Sequence, residues 1–363
     1  MDESSSSSDS ASDVEPTNPS MWIIPGQYKW EVLRKRTQKA HISQRVWNTE
    51  HLRKIKTMCG KPQGGPPTGA IPQVVEEWRP ETHTFHMTQG EMMITLQDVA
   101  GILGLPTDGT VVTGSTSEDW HAACAAVFGH VPEAGEFHRS SDLRISFLDQ
   151  HYTWWTDQEG NHDAEIYFTK AHIARMLGTW LLADKSRDAR RTDMGGCHIL
   201  LQIWAWIQFP PIALPLPPHP EPGTHYGCRF NTVEKFKPHE VTHYRATLDT
   251  LCRDEVVWQP YIEYEWLDVT LEQQYLWLAA KPIIYFHTVE ACQPDRCMRQ
   301  FDLDQPIPDK SRKLRGIHDH TLRGKVEENW RRKLRPHIDR WNTKVQHIVL
   351  PPPLYGLMSP NHA

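Results

Sequence analysis

Long apolar runs are missing from this sequence. No stretch of about 18 consecutive apolar residues occurs, and a transmembrane helix requires a stretch of that length. The segment MDESSSSSDSASDVEP at residues 1–16 is acidic and serine-rich and contains no apolar centre, so it does not resemble a secretory signal. We therefore expect no transmembrane helix, no signal peptide and no membrane partner.

Cysteines are few and irregularly spaced. The chain has seven of them, and an odd, scattered set does not suit a framework of disulfides. No CxxC pair is present either. This usage indicates reduced thiols, as in the cytosol or the nucleus.

Motifs that mark common enzyme classes are also missing. Gly64-Gly65 is followed by Pro66-Pro67, whereas a phosphate-binding loop continues into Gly-Lys-Ser/Thr. No G-x-S-x-G nucleophile elbow occurs, and no lysine stands in the alternating βα pattern that pyridoxal phosphate chemistry needs. The sequence therefore predicts a protein that is not an enzyme, with no catalytic, cofactor-binding or metal-binding residues.

One histidine cluster leaves an alternative open. His239-Glu240-Val241-Thr242-His243 matches H-E-x-x-H, in which two histidines one helical turn apart bind zinc and the glutamate is the base. Glu263 follows at a spacing where a third ligand could occur. Pro238, however, would place His239 at the start of a helix, and chance matches are common in a chain with 21 histidines. A zinc metallohydrolase is therefore our third hypothesis, ranked after the two that are introduced below.

The sequence does contain enough apolar residues for a core. Hydrophobic residues make up 39% of the chain, the mean hydropathy is -0.58, and there are fifteen tryptophans. Because tryptophan buries a large area per residue, we expect many of them to anchor a core. Residues 1–27 are expected to be a disordered tail, since the segment is acidic, serine-rich and poor in apolar residues.

The most informative stretch runs from residue 77 to residue 114. Its alternation of apolar and polar residues around Gly90 predicts a small β-hairpin near residues 83–94. Thr95 and Asp98 are spaced as a capping box at the start of a short helix. Gly104 is placed to end that helix, and Pro106 prevents its continuation.

Further helices are predicted along the chain from periodicity and capping residues. Ser117 and Thr169 are the expected N-caps of two of them, and Thr270 of a third. Residues 196–209 are apolar nearly all round, which is typical of a buried helix. The periodicity also predicts an apolar core stripe over residues 173–181 and one long amphipathic helix over 326–348, kinked at Pro336. We therefore predict a mainly α fold: a multi-helix globular domain with one small hairpin.

Two segments are rich in lysine and arginine, residues 29–56 and residues 310–344. Such segments can bind nucleic-acid phosphates. A solvated helix face has the same composition, and we favour that interpretation. Nucleic-acid binding through these segments is the second hypothesis.

Several blocks in order resemble one known family. They are WRPETHTFH, GEMMITLQDVA, LGTWLLADKS, LLQIWAWIQF, HYRATLDTLC and QPDRCMRQFDLDQPIP. Together they resemble the plant mobile domain, also labelled aminotransferase-like, which includes the MAIN-LIKE proteins and domains carried by transposable elements. The resemblance assigns residues 28–350 to this domain and leaves 351–363 as a C-terminal tail. Family members usually have tens of further residues near 184–197, so this chain is expected to lack an internal segment there.

The resemblance also implies a function. It implies a helical domain without known catalytic residues, which acts in the nucleus in gene regulation, transposable-element silencing and meristem maintenance. Protein partners are expected, among them a PP7-like phosphatase or chromatin factors. Our first hypothesis is accordingly a non-enzymatic nuclear interaction module. The alternatives are a nucleic-acid-binding remnant of a transposable element and the zinc metallohydrolase.

Overall fold

A computed structural model describes the larger part of the chain. The described residues are 71–79, 81–137, 143–152, 161–181, 196–213, 224–229, 241–266, 269–307, 317, 320 and 328–349. The expected tails at 1–27 and 351–363, the basic segment 29–56 and most of the region 184–197 lie outside them.

The described residues are mainly helical, with small antiparallel strand pairs. The helices are α1 (Ile71–Glu76), α2 (Leu96–Leu103), α3 (Trp120–Phe128), α4 (Ile145–His151), α5 (His162–Met176), α6 (His198–Gln208), α7 (Val241–Thr250), α8 (Leu271–Trp277), α9 (Trp330–Lys333) and α10 (Arg335–Asn342). The strands are β1 (Trp78–Arg79), β2 (Thr84–Met87), β3 (Gly90–Met92), β4 (Lys281–Tyr285) and β5 (Thr288–Cys292). Within this part of the chain, no helix is long and apolar enough to cross a membrane.

The predicted hairpin is present and has one strand more than expected. β2 and β3 pair antiparallel, with Phe85 opposite Met92, and β1 adds to the other side of β2 with Trp78 opposite Phe85. Gly90 has φ 141°, a conformation that residues with a Cβ rarely adopt. The turn therefore depends on glycine at this position.

The capping box of α2 is confirmed. The Thr95 side chain accepts a hydrogen bond from the backbone of Asp98, and the Asp98 carboxylate accepts one from the backbone of Thr95. Gly104 ends the helix in the left-handed conformation, with φ 64° and ψ 29°. Local sequence chemistry therefore determines both ends of α2.

The main core surrounds α6, as its apolar sequence predicts. Trp204 and Phe209 are fully buried, and the Trp204 ring lies 5.0 Å from that of Phe85 on β2. The hairpin and α6 are therefore packed together. Trp206, Trp277 and Trp330 are also buried, which confirms the expected use of tryptophan in the core.

A second, smaller core joins α3, α4 and α5. It is made of Cys124, Val127, Phe128, Phe147, Leu148 and Ala171. Both expected N-caps in this region were wrong. Asp119 caps α3 in place of Ser117, and Asn161 caps α5 in place of Thr169. Thr169 lies inside α5, where its hydroxyl donates to the Glu165 carbonyl at 2.8 Å, a bond that threonine commonly makes within a helix.

The apolar stripe over residues 173–181 was also misjudged. Ile173, Met176, Leu177 and Leu181 are half-buried rather than fully buried. The helix changes to π-type over Leu177–Leu181, and Ala171 is the fully buried side chain of α5. The stripe thus borders the core rather than filling it.

A third group of elements lies near the C-terminal end of the described chain. β4 and β5 form a hairpin that was not predicted, and α10 packs against β4. The long helix expected over 326–348 is wrong. α9 ends at Lys333, and α10 begins at Arg335 with Pro336 in its first turn. Because proline has no N–H to donate, it suits the start of a helix better than the interior.

The α2 cap is tied to a distant part of the chain by a buried hydrogen bond. The Tyr261 hydroxyl donates to the Asp98 carboxylate at 2.9 Å. Burial raises the pKa of Asp98 to about 6, although the hydrogen bonds from Thr95 and Tyr261 act in the opposite direction. The charged carboxylate therefore needs these donors in order to stay in the core.

We expect Tyr261→Phe to lower the free energy of unfolding by about 1–2 kcal/mol, because it removes a donor from a buried carboxylate. Because the pKa of Asp98 is raised on folding, its contribution to stability is lost as the pH rises towards and through about 6. The loss in the variant should therefore be larger at pH 7.5 than at pH 5. Urea unfolding at both pH values measures this loss.

Tyr275→Phe, at a 63% exposed tyrosine, is the matched control and should leave the free energy of unfolding unchanged. Equal stability of Tyr261→Phe and wild type at both pH values would contradict this account.

Candidate functional site

Two stretches about two hundred residues apart meet at one polar cluster. The hairpin residues Thr82, Thr84, His86 and Glu91 lie against Arg296, in the 3₁₀ turn Pro294–Arg296. We call these five residues the Glu91–Arg296 cluster. It joins residues from three of the blocks that carry the family resemblance, so it is the strongest candidate for a functional site in the described chain.

The centre of the cluster is a two-point ion pair. Arg296 Nε donates to Glu91 Oε2 at 2.6 Å, and the second guanidinium bond reaches Oε1 at 2.5 Å. The side chains are only 9% and 21% exposed. Burial would raise the pKa of Glu91, but the hydrogen bonds from Arg296 and Thr84 and the charges of Arg296 and His86 outweigh it and hold the pKa below its usual value. The carboxylate is therefore kept ionised by its partners.

A chain of hydroxyl groups continues from the ion pair. Thr84 donates to Glu91 Oε2 at 2.8 Å, and the Thr82 and Thr84 hydroxyl oxygens are 2.7 Å apart. His86 Nε2 lies 3.0 Å from the Thr82 hydroxyl and 3.8 Å from Glu91 Oε2. A nucleophile–base–acid relay uses both imidazole nitrogens, one facing the nucleophile and the other facing the acid. Here one nitrogen faces both groups, so the geometry is that of a hydrogen-bonded clamp rather than a relay.

Side chains of the second stretch also bind the backbone of the hairpin. The Gln300 amide accepts from the Met93 N–H at 2.9 Å and donates to the Met93 carbonyl at 3.0 Å. Arg299 donates to the Gln89 carbonyl at 3.0 Å, and Gln293 donates to the Thr82 carbonyl at 3.1 Å. The Gln300 amide therefore takes the place of a neighbouring strand beside β3 and satisfies both backbone groups of Met93.

The zinc hypothesis receives no direct test. His239 and Glu240 lie outside the described residues, while His243 is exposed on α7. Among the residues that the structure describes, no group of three or more His, Cys, Asp or Glu side chains could hold a metal ion.

Lys281 is a buried lysine that sequence reasoning did not single out. It is 2% exposed on β4, and its Nζ donates to the Leu276 carbonyl at 2.7 Å. The amine also lies 5.2 Å from the centre of the Trp341 ring. Burial lowers the pKa of Lys281 to about 8. The amine is thus used in a backbone hydrogen bond and a cation–π contact within the fold.

The basic C-terminal helices are partly neutralised by nearby acids. The ion pairs are Lys333 with Glu328 at 3.4 Å, Arg335 with Asp339 at 2.9 Å and Lys344 with Asp108 at 2.8 Å. Arg331 and Arg332 on α9 are exposed and have no ion pair with the described residues. They are the cations of α9 best placed to meet an external anion.

Comparison with known proteins places the chain in a family. The plant mobile domain model matches residues 68–194 and 171–358. The chain belongs to the plant mobile domain family. The two matches to the mobile domain overlap over residues 171–194, and this overlap includes most of the region 184–197, where a missing segment is expected. The missing segment itself stays a prediction.

Relatives of this mobile domain occur in Arabidopsis thaliana. It is 29% identical to a Serine/threonine-protein phosphatase 7 long form homolog, over 77% of this chain and 25% of that protein. It is 27% identical to Protein MAIN-LIKE 2, over 77% of this chain and 48% of that protein. It is also 27% identical to Protein MAINTENANCE OF MERISTEMS, over 72% of this chain and 64% of that protein. The chain therefore spans from a quarter to just under two thirds of the length of these relatives. No solved structure matches the mobile domain.

Sequence reasoning missed the Glu91–Arg296 cluster, although a signal was present. Glu91 is the only Asp, Glu, Lys or Arg between Glu81 and Asp98, and three apolar residues follow it directly. An isolated charge in an apolar block of the mobile domain indicates a specific partner, because unpaired charges are seldom buried. Which partner it is depends on the tertiary structure.

We expect Arg296→Met to lower the free energy of unfolding by about 2–4 kcal/mol at pH 7, because it leaves the Glu91 carboxylate without its main partner. A group whose pKa is lowered on folding stabilises above its usual pKa, here 4.5, and loses that effect as the pH falls through the folded value. The difference in the free energy of unfolding between the variant and the wild type should therefore become smaller below pH 4.5. Denaturant unfolding from pH 7 to pH 3.5 measures this.

The matched control is Arg335→Met, which breaks the exposed ion pair with Asp339. It should change the free energy of unfolding by less than about 1 kcal/mol. Similar losses in Arg296→Met and Arg335→Met would refute the special role of the Glu91–Arg296 pair.

Proposed function

We propose that this protein is a non-enzymatic interaction module of the nucleus. It acts in gene regulation, transposable-element silencing and meristem maintenance through protein partners. The observation that carries the proposal is the pairing of the charged groups within the Glu91–Arg296 cluster. Its charged groups bind one another and hold two distant stretches together, so they serve to keep a surface rigid rather than to transform a substrate.

The names of the relatives support this proposal. Two of them are called MAIN-LIKE 2 and MAINTENANCE OF MERISTEMS, and the second name supports the meristem role proposed for this chain. The silencing role is proposed from the resemblance to the family alone. The phosphatase-named relative is similar to this chain over only 25% of its own length. A domain of this kind therefore accompanies other regions in one polypeptide, and we propose a PP7-like phosphatase or a chromatin factor as the partner.

Direct nucleic-acid binding is the second candidate function. The observation in its favour is the exposure of Arg331 and Arg332 on α9. The neighbouring ion pairs of Lys333, Arg335 and Lys344 weaken it, because a cation already paired with a carboxylate gains less from a phosphate. We therefore keep it as the alternative, with the zinc metallohydrolase last.

The proposed function is tested in Arabidopsis plants that lack Protein MAINTENANCE OF MERISTEMS. We expect a fluorescently tagged copy of this chain to accumulate in the nucleus and to restore meristem organisation and low transposable-element transcript levels. Microscopy and RNA sequencing measure these outcomes. The Arg296→Met variant should fail, whereas Arg335→Met should succeed. Exclusion of the tagged chain from the nucleus, or unchanged transcripts despite normal accumulation, would overturn the proposal.

A salt titration separates the alternative from the proposal. Under the alternative, the logarithm of the DNA association constant falls steeply with the logarithm of the salt concentration, by about 0.9 per phosphate contact. We expect no such steep dependence for the purified chain. A steep slope that falls by about two in the double variant Arg331→Ala and Arg332→Ala would favour the nucleic-acid-binding function instead.

A further inference from the structure

A row of five aromatic rings lies beside α2 and α8. Its members are Tyr226, Tyr261, Tyr264, Trp266 and Trp277. Neighbouring ring centres are 4.7–6.2 Å apart. Tyr226, Tyr261 and Trp277 are buried, whereas Tyr264 and Trp266 are half-buried. Tyr264 and Trp266 are therefore the two rings of the row that are partly open to solvent.

Hydrogen bonds hold two of the buried rings in place. The Tyr261 hydroxyl donates to Asp98 at 2.9 Å, and the Trp277 Nε1–H donates to the Thr107 hydroxyl at 2.9 Å. Both buried rings contact Trp266, at 5.5 Å and 4.7 Å between ring centres. Trp266 therefore packs against two rings that are themselves held in place, so it has little conformational freedom left to lose when a ligand binds to it.

The two half-buried rings are nearly perpendicular to each other. The planes of Tyr264 and Trp266 cross at 88°, and their centres are 4.9 Å apart. Rings in this arrangement offer π-electron density from two directions to a group that lies in the corner between them. The face of an aromatic ring attracts cations, and quaternary ammonium groups are the ligands best suited to such corners because they are weakly hydrated.

Two acidic residues are the chain neighbours of these rings. Glu263 and Glu265 alternate with Tyr264 and Trp266 along the chain, and both are exposed. Neither carboxylate has an ion pair with the described residues. Consecutive Cα atoms are about 3.8 Å apart, so Glu265 adjoins both ring-bearing residues along the chain and Glu263 adjoins Tyr264. A basic peptide complements this surface.

We infer that the corner between Tyr264 and Trp266 binds the trimethylated side chain of a lysine in a basic peptide. The rings hold the ammonium group, and Glu263 and Glu265 attract the rest of the peptide. This inference deepens the proposed function, since it names the chemistry of a protein partner and depends on the role of the chain as an interaction module.

The test is a binding titration of the full chain with a short fluorescent peptide rich in lysine and arginine. Three forms of the peptide differ at one central residue, which is trimethyl-lysine, unmodified lysine or the uncharged tert-butyl isostere of trimethyl-lysine. A cation–π contact of about 1 kcal/mol corresponds to roughly fivefold in affinity. We expect the trimethylated peptide to bind at least about fivefold more tightly than the uncharged isostere. Equal binding of these two peptides, or no binding up to millimolar concentration, would overturn the inference.

Variants of the chain locate the site. Tyr264→Leu should remove the preference for the trimethylated peptide, while Tyr285→Leu, at a 48% exposed tyrosine on β4, should keep it. The double variant Glu263→Gln and Glu265→Gln should weaken the binding of all three peptides. The control double variant Glu81→Gln and Glu118→Gln, at two exposed acids elsewhere, should leave their binding unchanged. A preference that survives in Tyr264→Leu would refute this site.

This result is distinguishable from a failure of the proposed function. If the chain restores silencing in the nucleus but does not bind the trimethylated peptide preferentially, only the inference is overturned. A chain that binds the peptide in vitro but is excluded from the nucleus overturns the proposed function and leaves the binding site standing.

Discussion

The two-point ion pair between Glu91 and Arg296 is the contact on which the described fold most depends. It joins residues 205 positions apart, and both side chains are largely withdrawn from water. Bringing such distant segments together costs chain entropy, and two shielded charges must compensate each other closely. The surrounding bonds from Gln293, Arg299 and Gln300 fix the same pair of segments, so the hairpin and the second stretch behave as one unit.

The cap of α2 shows how a local feature becomes part of the tertiary structure. Asp98 completes the capping box with Thr95 and also accepts the Tyr261 hydroxyl. Tyr261 in turn contacts Gly101 so closely that a Cβ there would lie 2.9 Å from the ring. One short helix is therefore placed by its own cap, by a buried hydrogen bond and by a glycine that admits the ring. The aromatic row that reaches Tyr264 and Trp266 begins at this point.

The charged groups of the candidate site and those of the proposed binding surface have different surroundings. The charges of the Glu91–Arg296 cluster face each other and stabilise the fold, while Glu263 and Glu265 face solvent next to aromatic rings. An interaction module of the kind proposed here needs both properties, because a surface binds selectively only when the scaffold beneath it is rigid.

The sequence by itself determined the hairpin at residues 83–94, the Thr95–Asp98 cap, the Gly104 terminus and the buried helix α6. Each depends on residues a few positions apart or on a strong apolar period. It misplaced the caps of α3 and α5 and joined α9 and α10 into one helix, because several residues there compete for the same local role. Only the tertiary structure decided that Arg296 is the partner of Glu91, that Tyr261 reaches Asp98 and that Lys281 is buried. Such pairings follow from the path of the chain in space, to which local propensity and periodicity are blind.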